Sequence, residues 1–302
     1  MRSKIIRIMT ALALVFGLTA CQSRPADPLA AVSRYLKANV QPAYGYEWIV
    51  LTMKQADQEP TAGFYADYLT AVQKELAADG GKLDGQATTF ARTAMAVTAA
   101  GGDPAAIGGR DLTVGLTDAA LADRQGINGA IFDLIAMSYC GIDDGPAQEA
   151  FLGVLLAGQL DDGGYSFSSS SADTDMTAMA IQALSLYRQD TAQEACRQAV
   201  ACLAGLQKDD GSFASWGTVN CESLCQAIIA MCAAGIPVDD ARFVKGGTDV
   251  YQTLLKYQTS EGGFVHELGD GQTSLAASVQ AYMALTALYD MKTYGSGLFS
   301  RH

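Results

Sequence analysis

Histidine is scarce in this sequence. His266 and His302 are the only two, and no Cys-x-x-Cys pair accompanies them, so the inventory for a metal site is thin and no bound metal is expected. Tryptophan is equally rare: Trp48 and Trp216 are too few to line a sugar-binding cleft. Basic residues are outnumbered, 20 Lys and Arg against 32 Asp and Glu, for a net charge of −12. That balance argues against nucleic acid and against attachment to anionic lipid heads, since both need a basic surface.

One long apolar run stands out, at the start: MRSKIIRIMTALALVFGLTAC. It has a basic tip (Arg2, Lys4, Arg7) and is short for a membrane span. Its end, Leu18-Thr19-Ala20-Cys21, resembles the lipobox of bacterial lipoproteins. The resemblance implies a signal peptide over residues 1–20 and cleavage before Cys21, whose sulfur takes diacylglycerol and whose amine takes an acyl chain such as palmitate. Residues 21–27 then form a lipidated stalk, and the protein sits on the extracytoplasmic face of a bacterial cell membrane. Removing residues 1–20 moves the net charge to about −15. The six later cysteines (Cys140, Cys196, Cys202, Cys221, Cys225, Cys232) lie in Ala-rich helical pattern, where they are expected as small buried hydrophobes. Any disulfide pairing stays open.

The rest of the chain is a repeat. LLAGQLDDGGYSF (155–167), CLAGLQKDDGSFASW (202–216) and LLKYQTSEGGFVHEL (254–268) each read as an apolar helix end, Gln, acidic residues, Gly, then an aromatic. Each leads into a small-residue helix: TDMTAMAIQALSLY (174–187), CESLCQAIIAMCAAG (221–235) and SLAASVQAYMALTAL (274–288). Weaker copies occupy 28–56, 74–102 and 115–141, making six helix pairs with a period of about fifty residues. The first helix of a pair is amphipathic, as in AQEACRQAVACLAGLQK (192–208), whereas the second is apolar nearly all round and must be covered on two sides. Six inner helices within six outer ones predict an all-α (α/α)6 toroid over residues 28–295, followed by a tail at 296–302. The glycines of Gly163-Gly164, Gly211 and Gly262-Gly263 are expected to supply positive φ where the outer helices end. Small inner residues such as Ala178, Ala180, Ala230 and Ala284 fit either an open cavity or tight packing.

The Gln, acidic, Gly, aromatic turn followed by an Ala-rich helix resembles the terpenoid cyclase and protein prenyltransferase toroid superfamily. Each chemistry known on that fold implies particular residues. Class II terpene cyclases protonate an isoprenoid with the middle Asp of Asp-x-Asp-Asp. Here Asp173-Thr174-Asp175-Met176 matches three of the four positions, which puts Asp175 on the acid with Asp173 beside it and Met176 in place of the last carboxylate. The two tryptophans are also few for stabilising carbocations. Asp173, Thr174 and Asp175 equally suit a helix cap. Prenyltransferase zinc needs Asp, Cys and His; Cys221 stands at a comparable place, but between Asn220 and Glu222 and with no His on the last inner helix. The Gly-Cys-Gly-Glu-Gln stretch of thioester proteins is absent. The glycosidases and lyases that share the barrel shape use carboxylates about 5–10 Å apart. The pairs Asp143-Asp144, Asp161-Asp162, Asp209-Asp210 and Asp239-Asp240 are adjacent and sit at turns, which suits turn formation better.

In circumstance the chain most resembles the helical domain of cobalamin carriers, which are exported and have no catalytic motif. That resemblance implies no catalytic cofactor, with a corrinoid as one possible ligand. The expectation is an anchored toroid that binds, without catalysis, a small apolar or amphipathic ligand (corrinoid- or isoprenoid-like) or a surface protein. Its contacts would be Asp173, Asp175, Tyr165, Phe167, Phe213, Trp216, Phe264 and His266 at one mouth. A cyclase-like enzyme using Asp175 is the alternative, and a pure interaction scaffold with a filled barrel is the third.

Overall fold

A computed structural model describes residues 25–167 and 170–300. The expected signal segment over residues 1–20, Cys21 and His302 lie outside the described residues.

The inner helices are α2 (Glu47–Gln55), α4 (Ala87–Ala99), α7 (Ile127–Cys140), α9 (Thr174–Leu184), α11 (Cys221–Ala233) and α13 (Leu275–Tyr294). Each packs on the next, and α13 returns to α2, so the ring is closed. Around it run α1 (Pro28–Asn39), α3 (Phe64–Asp79), the short pair α5 (Thr113–Leu116) and α6 (Ala119–Asp123), α8 (Gly145–Gly158), α10 (Asp190–Leu206) and α12 (Val250–Leu254). This is the (α/α)6 toroid, and no described helix is long and apolar enough to cross a membrane. Two outer positions fall short of full helices. The third is the broken pair α5 and α6, and the sixth is α12 followed by a 3-10 turn at Leu255–Tyr257. The inner ring decides the question of cavity against packing at its alanines: Ala178, Ala180, Ala230 and Ala284 are all 0% exposed, serving close helix approach.

The repeated motif has a physical reason in every part. Gln159 Nε2 donates to the carbonyls of Gly163 (2.8 Å) and Ala195 (2.8 Å), the latter on the next outer helix. Gln207 does the same to Gly211 and Phe243 (both 3.1 Å). Gln258 donates to Gly262 (3.1 Å) and to Pro28 (3.0 Å), which ties the last repeat to the first. Asp162 and Asp210 accept from the amides of Gly164 and Ser212 at 2.9 Å, so these acidic residues shape their turns. Gly163, Gly211 and Gly262 have φ of +82°, +86° and +95°, but they sit in the turn beyond the helix end. A Cβ at Gly262 would come within 2.6 Å of the Ala31 carbonyl oxygen. Gly164 and Gly263 do not have positive φ as expected; the close approach of Ala172 and Thr273 is what excludes a side chain there. The aromatic then fixes the inner helix: Tyr165 and Phe264 donate their amides to Thr177 Oγ1 (3.0 Å) and Ser278 Oγ (2.8 Å).

Residues 296–300, expected as a tail beyond the toroid, pack into it. Leu298 is fully buried, the Phe299 ring lies 6.3 Å from that of Trp48, and Gln55 Nε2 donates to the Ser300 carbonyl at 3.2 Å. Cys196, Cys202, Cys221, Cys225 and Cys232 are free thiols, and all of these but Cys202 are buried. On α7, Asp133 is 0% exposed and neither of its carboxylate oxygens has a hydrogen-bond partner. Burial, with the charge of Asp118 in support, pushes that carboxyl up to about 8.

Candidate functional site

The N-terminal ends of α9 and α11 come together with a two-residue hairpin, β1 (Ala214–Ser215) and β2 (Thr218–Val219). Asp173 caps α9: its Oδ1 accepts from the amides of Asp175 and Met176 at 3.0 Å, and its Oδ2 from Ser215 Oγ at 2.6 Å. Thr174 Oγ1 donates to the Ala214 carbonyl at 2.8 Å, locking the hairpin onto the same helix end. Asp175 takes no part in the capping. Its Oδ1 is buried without a partner, and burial raises its carboxyl above the ordinary range. The hydroxyls of Ser223 and Ser215 pull the other way, while the charges of Asp173 and Glu222 add to the rise.

His266 closes this cluster from the last turn. Its Nδ1 lies 2.8 Å from Glu222 Oε2, and its carbonyl accepts from the Cys221 amide at 2.9 Å. Glu222 is a member the sequence reading did not count; it stands 44 residues from His266 and reads alone as an ordinary first-turn acid. Cys221, at the place of a prenyltransferase zinc ligand, is buried with its sulfur 3.9 Å from that of Cys225. Among the described residues no three His, Cys, Asp or Glu side chains gather to hold a metal ion.

The expected aromatic contacts divide. Tyr165, Phe213 and Phe264 are 0% exposed, enclosed where the turn meets the inner helix, and they offer no surface to a ligand. Phe167 and Trp216 are exposed, Trp216 to 83%. Trp216 and Gly217 form the hairpin turn with φ of 51° and 85°, the two positive angles of a type I′ turn.

A second concavity, which the sequence reading did not find, lies on the outside of the ring. Because α12 stops after 5 residues, the second half of α13 is left without a full outer helix over it. The result is a groove of about 950 Å³ between α1 and α13, floored by Leu29, Leu285 and Leu288 and reaching Val238. Arg34, Lys37 and Lys292 stand along it. One signal for it was present in the sequence: the shortness of VYQTLLKYQ.

A model of the prenyltransferase alpha-alpha toroid domain matches residues 115–298. The chain belongs to the prenyltransferase alpha-alpha toroid domain family. Among curated proteins none matches the sequence. Solved structures similar to this toroid-family chain include the unsaturated glucuronyl hydrolase of Bacillus sp. GL1, at 11% identity and a TM-score of 0.57 over 90% of this chain and 97% of that one. The type II terpene cyclase MstE from Scytonema, bound to geranylgeranyl dihydroxybenzoate, matches at 12% identity and a TM-score of 0.56 over 86% and 95%. A polysaccharide lyase matches at 10% identity and a TM-score of 0.54 over 91% and 98%. At these identities the likeness is one of fold, so the chemistry of this toroid domain rests on its own residues.

Proposed function

We propose that this toroid-family chain is a lipid-anchored extracytoplasmic protein that binds a small amphipathic ligand, without catalysis, in the groove between α1 and α13. The observation that carries the reading is that groove: about 950 Å³, apolar on its floor and polar at its edge, within the size range of small-molecule sites. The anchor rests on the lipobox-like end at Cys21. Replacing Cys21 with Ser is expected to abolish incorporation of labelled palmitate; unchanged incorporation refutes the anchor.

A second reading has its own support. Asp175 is a carboxyl held toward its neutral form with one oxygen unpartnered, the state a general acid needs, and a type II terpene cyclase shares the fold. Met176 weighs against it, because it removes the carboxylate that would orient the acid.

Native mass spectrometry of the full chain against corrinoids, squalene, prenyl diphosphates and small peptides separates these readings. A bound small-molecule mass that Leu288→Arg removes supports the groove. A converted squalene mass that Asp175→Asn abolishes makes the protein an enzyme. No adduct from folded protein points to an interaction scaffold.

A further inference from the structure

The groove has an apolar floor and basic side chains along its edges. Arg34 and Lys37 lie three residues apart on α1 and Lys292 lies on α13, so cations stand on both walls of one apolar trough. Among the described residues none of the three forms an ion pair; Lys37 Nζ donates at 2.8 Å to the neutral Gln58 Oε1. The one acid lining the groove, Asp27, is engaged at the head of α1, where its Oδ1 accepts from the Ala30 amide at 3.0 Å. A chain of net charge −12 therefore sets three cations, none of them ion-paired among the described residues, against one carboxylate around its apolar groove.

From this juxtaposition we infer that the groove takes a free single-chain amphiphile with an anionic head. Its hydrocarbon lies along Leu285 and Leu288, and its carboxylate or phosphate sits between Arg34, Lys37 and Lys292. The inference rests on the ligand-binding reading above and adds the sign of the head group. An apolar floor alone would hold a neutral chain as well; unpaired cations within a Debye length of about 8 Å add an attraction that only an anion feels. An anionic bilayer is a poorer partner than the free molecule, because a membrane surface meets the acidic exterior as a whole while a single head meets only the local cations.

The test is calorimetric titration of the full chain with laurate and dodecyltrimethylammonium below their micelle concentrations and dodecanol below its solubility limit. Laurate is expected to bind about tenfold or more tightly than dodecanol, with the cation weakest and with salt weakening laurate alone. Arg34→Glu with Lys292→Glu, both at exposed positions, should erase the preference for laurate and leave dodecanol unchanged. Leu288→Arg should remove both ligands. Equal binding of laurate and dodecanol, or a laurate affinity untouched by the double charge reversal, overturns the anionic head while the ligand-binding reading stands. Failure of both ligands to bind protein that still melts cooperatively overturns that reading itself. Laurate binding that survives Leu288→Arg places the ligand outside the groove and overturns the inference as well.

Discussion

Replacing Asp133 with Asn isolates one carboxyl whose cost to the fold can be followed with pH. Asp133 lies in the middle of α7, 0% exposed, with both oxygens unpartnered, and its folded value is raised from an ordinary 3.8 to about 8. The folded chain therefore holds the proton more tightly than the unfolded chain does. Stability is greatest below the unfolded value, and it falls as pH rises through the window from about 4 to about 8, by roughly 1.4 kcal/mol per pH unit. Over the whole window the loss approaches roughly 6 kcal/mol, an upper bound because a charged Asp133 is free to draw in water or shift. Urea unfolding of wild type and Asp133→Asn, taken in steps from about pH 5 to about pH 9, reads this directly. At about pH 5 both folded side chains are neutral but the unfolded Asp133 is already ionised, so Asn starts with a modest advantage. Toward the alkaline end Asn should gain on Asp with each step and level off once Asp133 is fully ionised. Two parallel stability profiles would refute the reasoning, since every other titrating group is shared.

Four further outcomes follow from the geometry. Asp173→Ala removes the α9 cap and the acceptor for Ser215, and should cost about 1–3 kcal/mol in urea unfolding. Gln258→Ala deletes the bond that ties the last repeat to the first and the one that closes its own turn, and should cost about 1–3 kcal/mol, more than an exposed glutamine such as Gln272 would. Gly262→Ala forces a side chain into a left-handed turn and against the Ala31 carbonyl, so it should destabilise by more than about 2 kcal/mol, measured as a fall in urea midpoint. Phe299→Ala should cost roughly 2–4 kcal/mol and change the fluorescence of Trp48, whose ring it touches; an unchanged emission would argue against the packed tail.

The repeat was legible because the same backbone duty recurs in each copy. Gln159, Gln207 and Gln258 all bridge their own turn to the backbone of the following outer segment, so one residue type is demanded at one place. The candidate sites were harder to read. Asp173 and Asp175 are two residues apart and looked like a single cap; helix geometry gives the first to the free amides and turns the second toward Ser223. His266 and Glu222 meet only because the sixth turn folds over the start of α11, a long-range contact that local pattern does not encode. Tyr165, Phe213 and Phe264 read as plausible ligand contacts because aromatic residues near a turn serve packing and binding with the same composition. The groove left only a faint signal for a different reason: it is made by helix that is missing, and an outer segment of 5 residues leaves only a shortened line of sequence.

The bond from Gln258 to Pro28 has a consequence for how the molecule comes apart. An open stack of helix pairs has two ends from which it can fray, whereas a closed ring has a seam instead. Opening the seam exposes the flanks of both the first and the last pair at once, so slow amide exchange in α1 and α13 should be lost together. By the same logic, deleting one pair would not give a shorter toroid. It would leave a gap that the remaining pairs could close only by changing every angle between them.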